Sequence, residues 1–432
     1  MKIRWFVQKR IRMTGRNNII AAIDIGTTKI VAIMGKLTPE GKLRVLGMEK
    51  TGSKGVKRGV IHSIEDTIEA ISEVVVRLKE NSNEDISRVY VGIAGQHIRS
   101  IKHRQFKYIQ NEIEEITKAD VDEILNENFR LPIEVGEQIL HVIPQDFVVD
   151  KEAGIRNPVG MAGRRLDGNF NIIIGRTASA RNIEKCVKEV DLEIEELVLE
   201  PLASSLAVLT EEEKEAGVVL VDIGGGTTDI TVHFDGILRH TAVIPFGGDI
   251  VTRDIKEGCS VLLKQAEALK IQFGEAVADL ADDDKVVTIP SVGGWDPKEI
   301  SFKTLAQIIQ CRMEEIIDSV KFQIEITGLH DKIGAGIVLT GGGALLKNLD
   351  QLARERTGLD VRLGFPGSSS KILLDENMDQ PMYSTSIGLL LKGLEKPVKK
   401  KVEQAVENDK PKKKRGLRTI LGSLFDTHDV DM

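Results

Sequence analysis

The sequence predicts an α/β protein with a duplicated two-domain core, and three observations carry that prediction. The strings IDIGTTKI (23–30) and VDIGGGTTDI (221–230) match in residue type and order although they lie 198 residues apart. Each stands in a run of short β-branched segments bounded by glycine or charge, so one strand-rich meander occurs twice. At 432 residues the chain also exceeds the roughly 250–300 that a single core supports.

Hydrophobic residues make up 41% and charged residues 29%, the balance of a soluble globular body without an 18-residue apolar span. Cys186, Cys259 and Cys311 are far apart and odd in number, which fits a reducing cytosol and offers no CxxC pair. HExxH, GxSxG and GxxxxGK[ST] are absent, so zinc-protease, esterase and P-loop chemistries are set aside.

The elements follow in chain order. Residues 1–18 form a basic arm; Trp5-Phe6-Val7 is too short an apolar run for a signal peptide, and Met13 is a second candidate start. The arm is either incidental or a weak contact to membrane or nucleic acid. From Ile19, IIAAIDI, IVAIMGKL and LRVLGMEK read as an antiparallel meander opening the first domain (19–84). A helix starts at Ser63 with Asp66 as its capping-box partner, and Ile64, Ile68, Ile71, Val75 and Leu78 form its apolar face.

Residues 85–168 read as an inserted subdomain: a strand RVYVGIAG, a helix from Thr117 to Phe129, a strand QILHVIPQDFVV and a loop rich in Gly and Arg. Residues 169–212 return to the first domain. In the second domain (213–394) the meander repeats as VVLVDI, TDITVHF and ILRHTAVI. Helical stretches Val261–Phe273 and Phe302–Ile326 then flank a loop with Asp282-Asp283-Asp284 and Pro290 to Pro297, a second insertion at about 260–330. After the helical patch SIGLLLKGL, residues 395–415 lack large apolar side chains and read as a flexible basic linker; 416–428 read as an amphipathic helix.

The chemistry lies at the glycines. Glycine lets backbone N–H groups approach a phosphate without an intervening Cβ, and consecutive N–H groups in a tight turn make an anion nest. The Thr-Thr pairs add hydroxyl donors. Asp24 and Asp222, at the strand ends, are placed to hold a hydrated Mg2+ through its waters. Either string alone reads equally well as an ordinary hairpin turn; the pair favours a two-sided phosphate site. A third cluster, IVLTGGGALL (337–346), follows an apolar strand, and its backbone could lie flat against a base or ribose or merely turn into a helix. It lacks the GxGxxG order of a dinucleotide site.

The order DxGTTK, EP, DIGGGTTD, TGGGA resembles the actin-like ATPase superfamily. Within it, LEPLASSLAVL, VDIGGGTTDI, RHTAVIPFGGDIVTRDI, AEALKIQFG and IVLTGGGALLKNL resemble the bacterial cell-division family FtsA over roughly residues 19–394. The resemblance implies an actin-like, ribonuclease H-like, duplicated two-domain ATPase fold in which the insertion replaces one actin subdomain and contacts neighbouring protomers. It implies an ATP site between the domains, with Gly26, Thr27, Thr28 and Lys29 in one phosphate loop and Gly224, Gly225, Gly226, Thr227 and Thr228 in the other. Lys29 would neutralise the β/γ-phosphates. Glu267 and Lys270 would contact ribose or adenine, or else form a solvated helix face, while Gly341, Gly342 and Gly343 would close over the adenosine. Glu200, before Pro201, stands where the superfamily orients water for attack on the γ-phosphate, a capping role being the alternative. Hydrolysis would be slow or absent.

In GLRTILGSLF, Leu417, Ile420, Leu421, Leu424 and Phe425 recur at helical spacing behind KPKKKR, the pattern of an interfacial membrane anchor drawn to anionic lipid. Docking on the protein's own body or on a partner, and a nucleic-acid contact through KPKKKR, are the alternatives. Family resemblance adds filament self-association on the cytoplasmic face of the membrane at the division septum, recruitment of later division proteins, and anchoring of FtsZ. The FtsZ C-terminal peptide would dock where Arg312 and Glu315 lie. The rival function is a sugar or acid kinase of the same superfamily, for which no acceptor-site base is evident.

Overall fold

Both expected meanders form. In this computed structural model residues 19–111, 114–290 and 297–395 are described; the arm 1–18 and everything from 396 on, including the expected helix 416–428 with Leu417, Ile420, Leu421, Leu424 and Phe425, lie outside them. β1 (Ile19–Ile25), β2 (Lys29–Leu37) and β3 (Leu43–Gly52) pair antiparallel, with Ile25 opposite Ile30 across the first glycine turn. Ile23, Ile30, Val31 and Ile33 are fully buried, which the β-branched composition of these strands predicts. A ribbon of β4 (Val56–Lys57) and β5 (Val60–Ile61) turns through Arg58 and Gly59, both at positive φ. In α1 (Ile64–Ser82) Ser63 Oγ accepts the Asp66 N–H at 3.3 Å; only this half of the expected capping box forms.

β6 (Arg88–Ile93) corrects the expected organisation. Assigned from sequence to the insertion, it instead pairs parallel to β1 inside the first sheet, where Val89, Val91 and Ile93 are buried. The insertion follows it as β7 (Arg99–Tyr108), α2 (Lys118–Asn128), β8 (Glu137–Val149), β9 (Glu152–Ile155) and β10 (Arg165–Arg176), a sheet of order β7-β10-β8-β9. Its own core gathers Ile116, Ile124, Phe147, Leu166, Phe170 and Ile172. The boundary expected at 168 falls inside β10, since the Gly- and Arg-rich stretch is strand on its far side. α3 (Thr177–Lys188) and β11 (Glu193–Leu199) then return to the first sheet.

After α4 (Glu200–Val208) and α5 (Glu211–Ala216), the second half repeats the first: β12 (Val218–Ile223), β13 (Thr228–Phe234) and β14 (Ile237–Ile244) form the meander. α6 (Gly248–Cys259), which periodicity missed, precedes α7 (Leu263–Phe273) and α8 (Phe302–Glu325). The stretch expected as loop between α7 and α8 contains a ribbon, β15 (Val286–Ile289) with β16 (Lys298–Ser301). β17 (Ile337–Thr340), α9 (Leu349–Thr357), β18 (Val361–Leu363), β19 (Ile372–Leu373) and α10 (Ser384–Lys392) complete the described chain.

Strand order makes the duplication explicit. The first sheet runs β11-β6-β1-β2-β3-β19 and the second β14-β13-β12-β17-β18, so each half is an antiparallel meander extended by two parallel strands beside its first strand. Between the sheets lie α4 and α10, packed so closely that a Cβ on Gly388 would stand 1.8 Å from the Ala203 carbonyl oxygen. Ala203, Ala207, Ile387 and Leu391 share one core with Val31 and Ile33 of the first sheet and Val218 and Leu220 of the second. Among the described residues, no helix is long and apolar enough to cross a membrane.

Candidate functional site

The two glycine turns meet across the cleft between the halves. A Cβ on Gly225 would lie 2.3 Å from Thr28 Cγ2, and one on Gly226 would lie 2.5 Å from Thr27 Oγ1 and 2.9 Å from Arg58 Cα. Contacts that short leave room for glycine alone. The Gly59 N–H donates to Thr27 Oγ1 at 3.0 Å, which ties the β4–β5 turn to the first loop. In the second loop the Gly224 N–H closes its own turn on the Thr227 carbonyl at 2.9 Å, while the Gly224 and Gly225 carbonyls accept from Gly248 and Asp249 at the start of α6.

Four carboxylates gather beneath the turns. Asp24, Glu200, Asp222 and Asp229 line a cavity of about 50 Å³, and Lys29 is the one basic residue lining it among the described residues. Burial raises the pKa of Asp24, opposed by the Lys29 charge and the Ser386 hydroxyl. It raises Asp222 in the same way, opposed by Ser204, Lys29 and Thr385. Asp229 and Glu200 are pushed well above the carboxylate range, first by burial and then by the neighbouring acids. The hydroxyls come from the two interleaved helices: Ser204 Oγ donates to Asp222 at 2.6 Å, Thr385 Oγ1 to Asp222 at 3.2 Å and Ser386 Oγ to Asp24 at 2.8 Å. Asp229 receives the Thr227 hydroxyl at 3.3 Å on one oxygen, and its Oδ1 has no partner among the described residues.

This donor set fits a hydrated divalent cation. Asp24, Asp222 and Asp229 are buried and Glu200 is half-buried beside a single lysine, and acids so crowded are costly to ionise unless paired or used on a metal. No group of three or more His, Cys, Asp or Glu converges to chelate a bare ion among the described residues.

The small cavity opens into one of about 810 Å³; both are lined by Thr28, Lys29, Gly224, Gly225, Gly342 and Met382. Glu267 and Lys270 line the larger space and pair at 2.8 Å, and Lys270 Nζ also donates to the Gly248 carbonyl at 3.0 Å and to Thr252 at 2.8 Å. Gly341 has φ +86°, and its Cβ would meet Asp222 Oδ1 at 2.4 Å; that of Gly343 would meet Ile223 Cγ2 at 2.4 Å. Gly342 is less confined and faces both cavities. Lys29 Nζ stands 5.9 Å over the Tyr383 ring, whose hydroxyl accepts from Lys50 at 2.8 Å.

Asp24, Gly26, Thr27, Thr28, Lys29, Glu200, Asp222, Gly224, Gly225, Gly226, Thr227, Glu267, Lys270, Gly341, Gly342 and Gly343 are thus brought to one cleft. Thr228 is not: fully buried, it donates its hydroxyl to the Phe246 carbonyl at 2.8 Å and lines neither cavity. Arg312 and Glu315 lie away from the cleft on α8, and the Arg312 guanidinium, expected to meet an acidic peptide, is already held by Asp254 at 2.6 and 3.2 Å and by Glu315. Sequence reasoning missed Ser204, Asp229, Met382, Thr385 and Ser386. Asp229 was within reach, as the second acid of VDIGGGTTDI, and Ser204 stands in LEPLASSL.

Comparison with known proteins accords with this geometry. The chain matches the family model described as cell division protein FtsA over residues 219–388, and the model described as SHS2 domain inserted in FTSA over residues 95–174. It is 40% identical over 378 residues to the cell division protein FtsA of Pseudomonas aeruginosa, covering 88% of this chain and 90% of that one. Among solved structures, the PilM-PilN type IV pilus biogenesis complex superposes with TM-score 0.62 at 14% identity, over 87% of this chain and 99% of that one. MreB 5 of Spiroplasma citri bound to AMPPNP superposes with TM-score 0.54 at 16% identity, over 87% and 96%. The structural likenesses establish the actin-like fold, and the sequence likeness, which covers 88% of the chain, places it in the FtsA family of cell-division proteins.

Proposed function

We propose that the chain binds Mg-ATP in the cleft, polymerises on the cytoplasmic face of the membrane and anchors FtsZ filaments at the division septum, where later division proteins are recruited. The observation that carries the nucleotide reading is the meeting of the turns at Thr28 and Gly225 over the carboxylates of Asp24, Glu200, Asp222 and Asp229 and the Lys29 ammonium. Gly26 to Lys29 and Gly224 to Thr227 cradle the phosphates, and Lys29 neutralises the β/γ-phosphates. Asp24 and Asp222 would hold Mg2+ through its waters, and the ion would supply further neutralisation of phosphate charge. Glu267, Lys270 and Gly341 to Gly343 bound the nucleoside end. Glu200, at the carboxylate end of the cleft, orients the attacking water in a slow hydrolysis.

The tail 416–428 tethers filaments through Leu417, Ile420, Leu421, Leu424 and Phe425, and many weak tails on one filament gain about 10²–10⁴ in avidity. FtsZ's C-terminal peptide meets the second insertion near Arg312 and Glu315, and must exchange with Asp254 for the guanidinium. The kinase reading is not favoured, because membership of the FtsA family points away from metabolic phosphotransfer.

The test is sedimentation with anionic vesicles, with and without Mg-ATP and FtsZ. The full chain should pellet with vesicles and carry FtsZ down; a chain ending at Arg415 should stay in solution with its ATP affinity intact. Gly225→Val should retain vesicle binding and lose ATP affinity. Equal pelleting of the shortened chain sinks the anchor, and an unchanged ATP titration of Gly225→Val sinks the site.

A further inference from the structure

The inserted subdomain touches both halves of the molecule through β8. On the first half, the Leu199 N–H donates to His141 Nε2 at 3.0 Å. Leu199 is the N-cap of α4, makes no side-chain capping bond, and immediately precedes Glu200. On the second half, Gln145 Nε2 donates to the Leu238 carbonyl of β14 at 2.8 Å. The β8–β10 register slips at that point: Phe170 faces Pro144 whereas Asn169 faces Asp146, leaving Gln145 as an extra residue. Such a bulge re-aims a side chain out of the ladder, here toward β14. Arg156 adds a more exposed tie to Asp235 at 3.2 Å.

We propose that His141 is a positioning residue for Glu200, and that β8 is a strut through which the inserted subdomain sets the geometry of the carboxylate end of the cleft. The proposal rests on the reading of Glu200 as the residue that orients water. The Glu200 side chain lies so close to Gly92 that a Cβ there would stand 2.9 Å from its Oε1, while its backbone is held one residue upstream by His141. The carboxylate is therefore confined from both ends. Because the same strand grips β14, displacing the insertion shifts the Leu199 peptide, and with it Glu200, relative to Asp222 and Asp229 of the other half. Coupling of this kind runs through a hydrogen-bonded element shared by two sites and leaves the nucleotide's own contacts untouched.

The experiment compares the full-length parent with His141→Phe, which removes the acceptor, His141→Gln, which keeps one, and Glu200→Gln. It reads single-turnover hydrolysis of Mg-ATP, ATP affinity and hydrogen exchange at the Leu199 amide. His141→Phe should slow hydrolysis by about 2- to 30-fold, the range of such couplings, with ATP affinity unchanged and faster Leu199 exchange; His141→Gln should restore both. If Glu200→Gln abolishes hydrolysis while His141→Phe leaves the rate or the Leu199 exchange at the parent's value, the strut is overturned. A parent that hydrolyses no ATP, or a Glu200→Gln variant at the parent's rate, overturns the reading of Glu200 and the positioning role with it.

Discussion

Asp229 shows what the site costs the fold. Its carboxyl is buried, repelled by Asp222 and Asp24, and helped only by the Thr227 hydroxyl, so its folded pKa stands well above the ordinary 3.8. A carboxyl raised on folding favours the native state most when both states are protonated, below about pH 4. That contribution is lost as pH rises through the folded pKa, at about 1.4 kcal/mol for each pH unit of displacement. Asp229→Asn keeps the shape and removes the charge. Without metal or nucleotide it should unfold at higher denaturant than the parent at pH 7, with the gap closing toward pH 4; denaturant titrations at the two pH values read this directly. An Asn variant no more stable than the parent at pH 7 would mean that the acid is compensated in the free protein. Asp24, Glu200 and Asp222 share the same sign, so nucleotide-free protein as a whole should lose stability from acid toward neutral pH through this cluster.

At the scale of elements, α4 and α10 carry the hydroxyls that the carboxylates need. Ser204 on α4 and Thr385 and Ser386 on α10 reach Asp222 and Asp24 only because the two helices nearly touch at Gly388 and Ala203. Gly388→Ala places a methyl where backbone already stands. Overpacking of this kind should cost about 1–3 kcal/mol in denaturant titrations. It should also weaken ATP binding, since the helices part and their hydroxyls withdraw; a variant that loses stability with full ATP affinity would uncouple the helix contact from the site. The pairing could not be read from SIGLLLKGL, whose apolar run signals burial without naming the partner. Likewise β6 looks like any short β-branched strand, and only its parallel pairing to β1 assigns it to the first sheet. Arg312 on α8 gave no sign in sequence that Asp254 of α6 would occupy it.

For the whole molecule, the cleft joins two halves that share a core but hold their glycine turns on opposite sides. A ligand that touches both turns binds the folded state alone, so Mg-ATP at about 100 times its Kd should stabilise the protein by about 2.7 kcal/mol. Thermal melts should therefore rise with ATP concentration, and the rise should shrink in Asp222→Ala. Melts indifferent to ATP would exclude a ligand bridging the halves.

The sequence by itself determined the local grammar of this protein. Most strand and helix periods, the glycine turns, the acids beside them and their repetition after 198 residues depend on neighbours in the chain and are legible there, although α6 and the β15–β16 ribbon were not. Tertiary structure alone decided which groups surround those acids. Ser386 reaches Asp24 from 362 residues away and Thr385 reaches Asp222 from 163, while Thr228, adjacent to the loop, turns its hydroxyl to Phe246 instead. The physical reason is that a hydrogen bond between distant residues is set by how two helices pack between two sheets, whereas propensity and periodicity describe only the chain's next few turns.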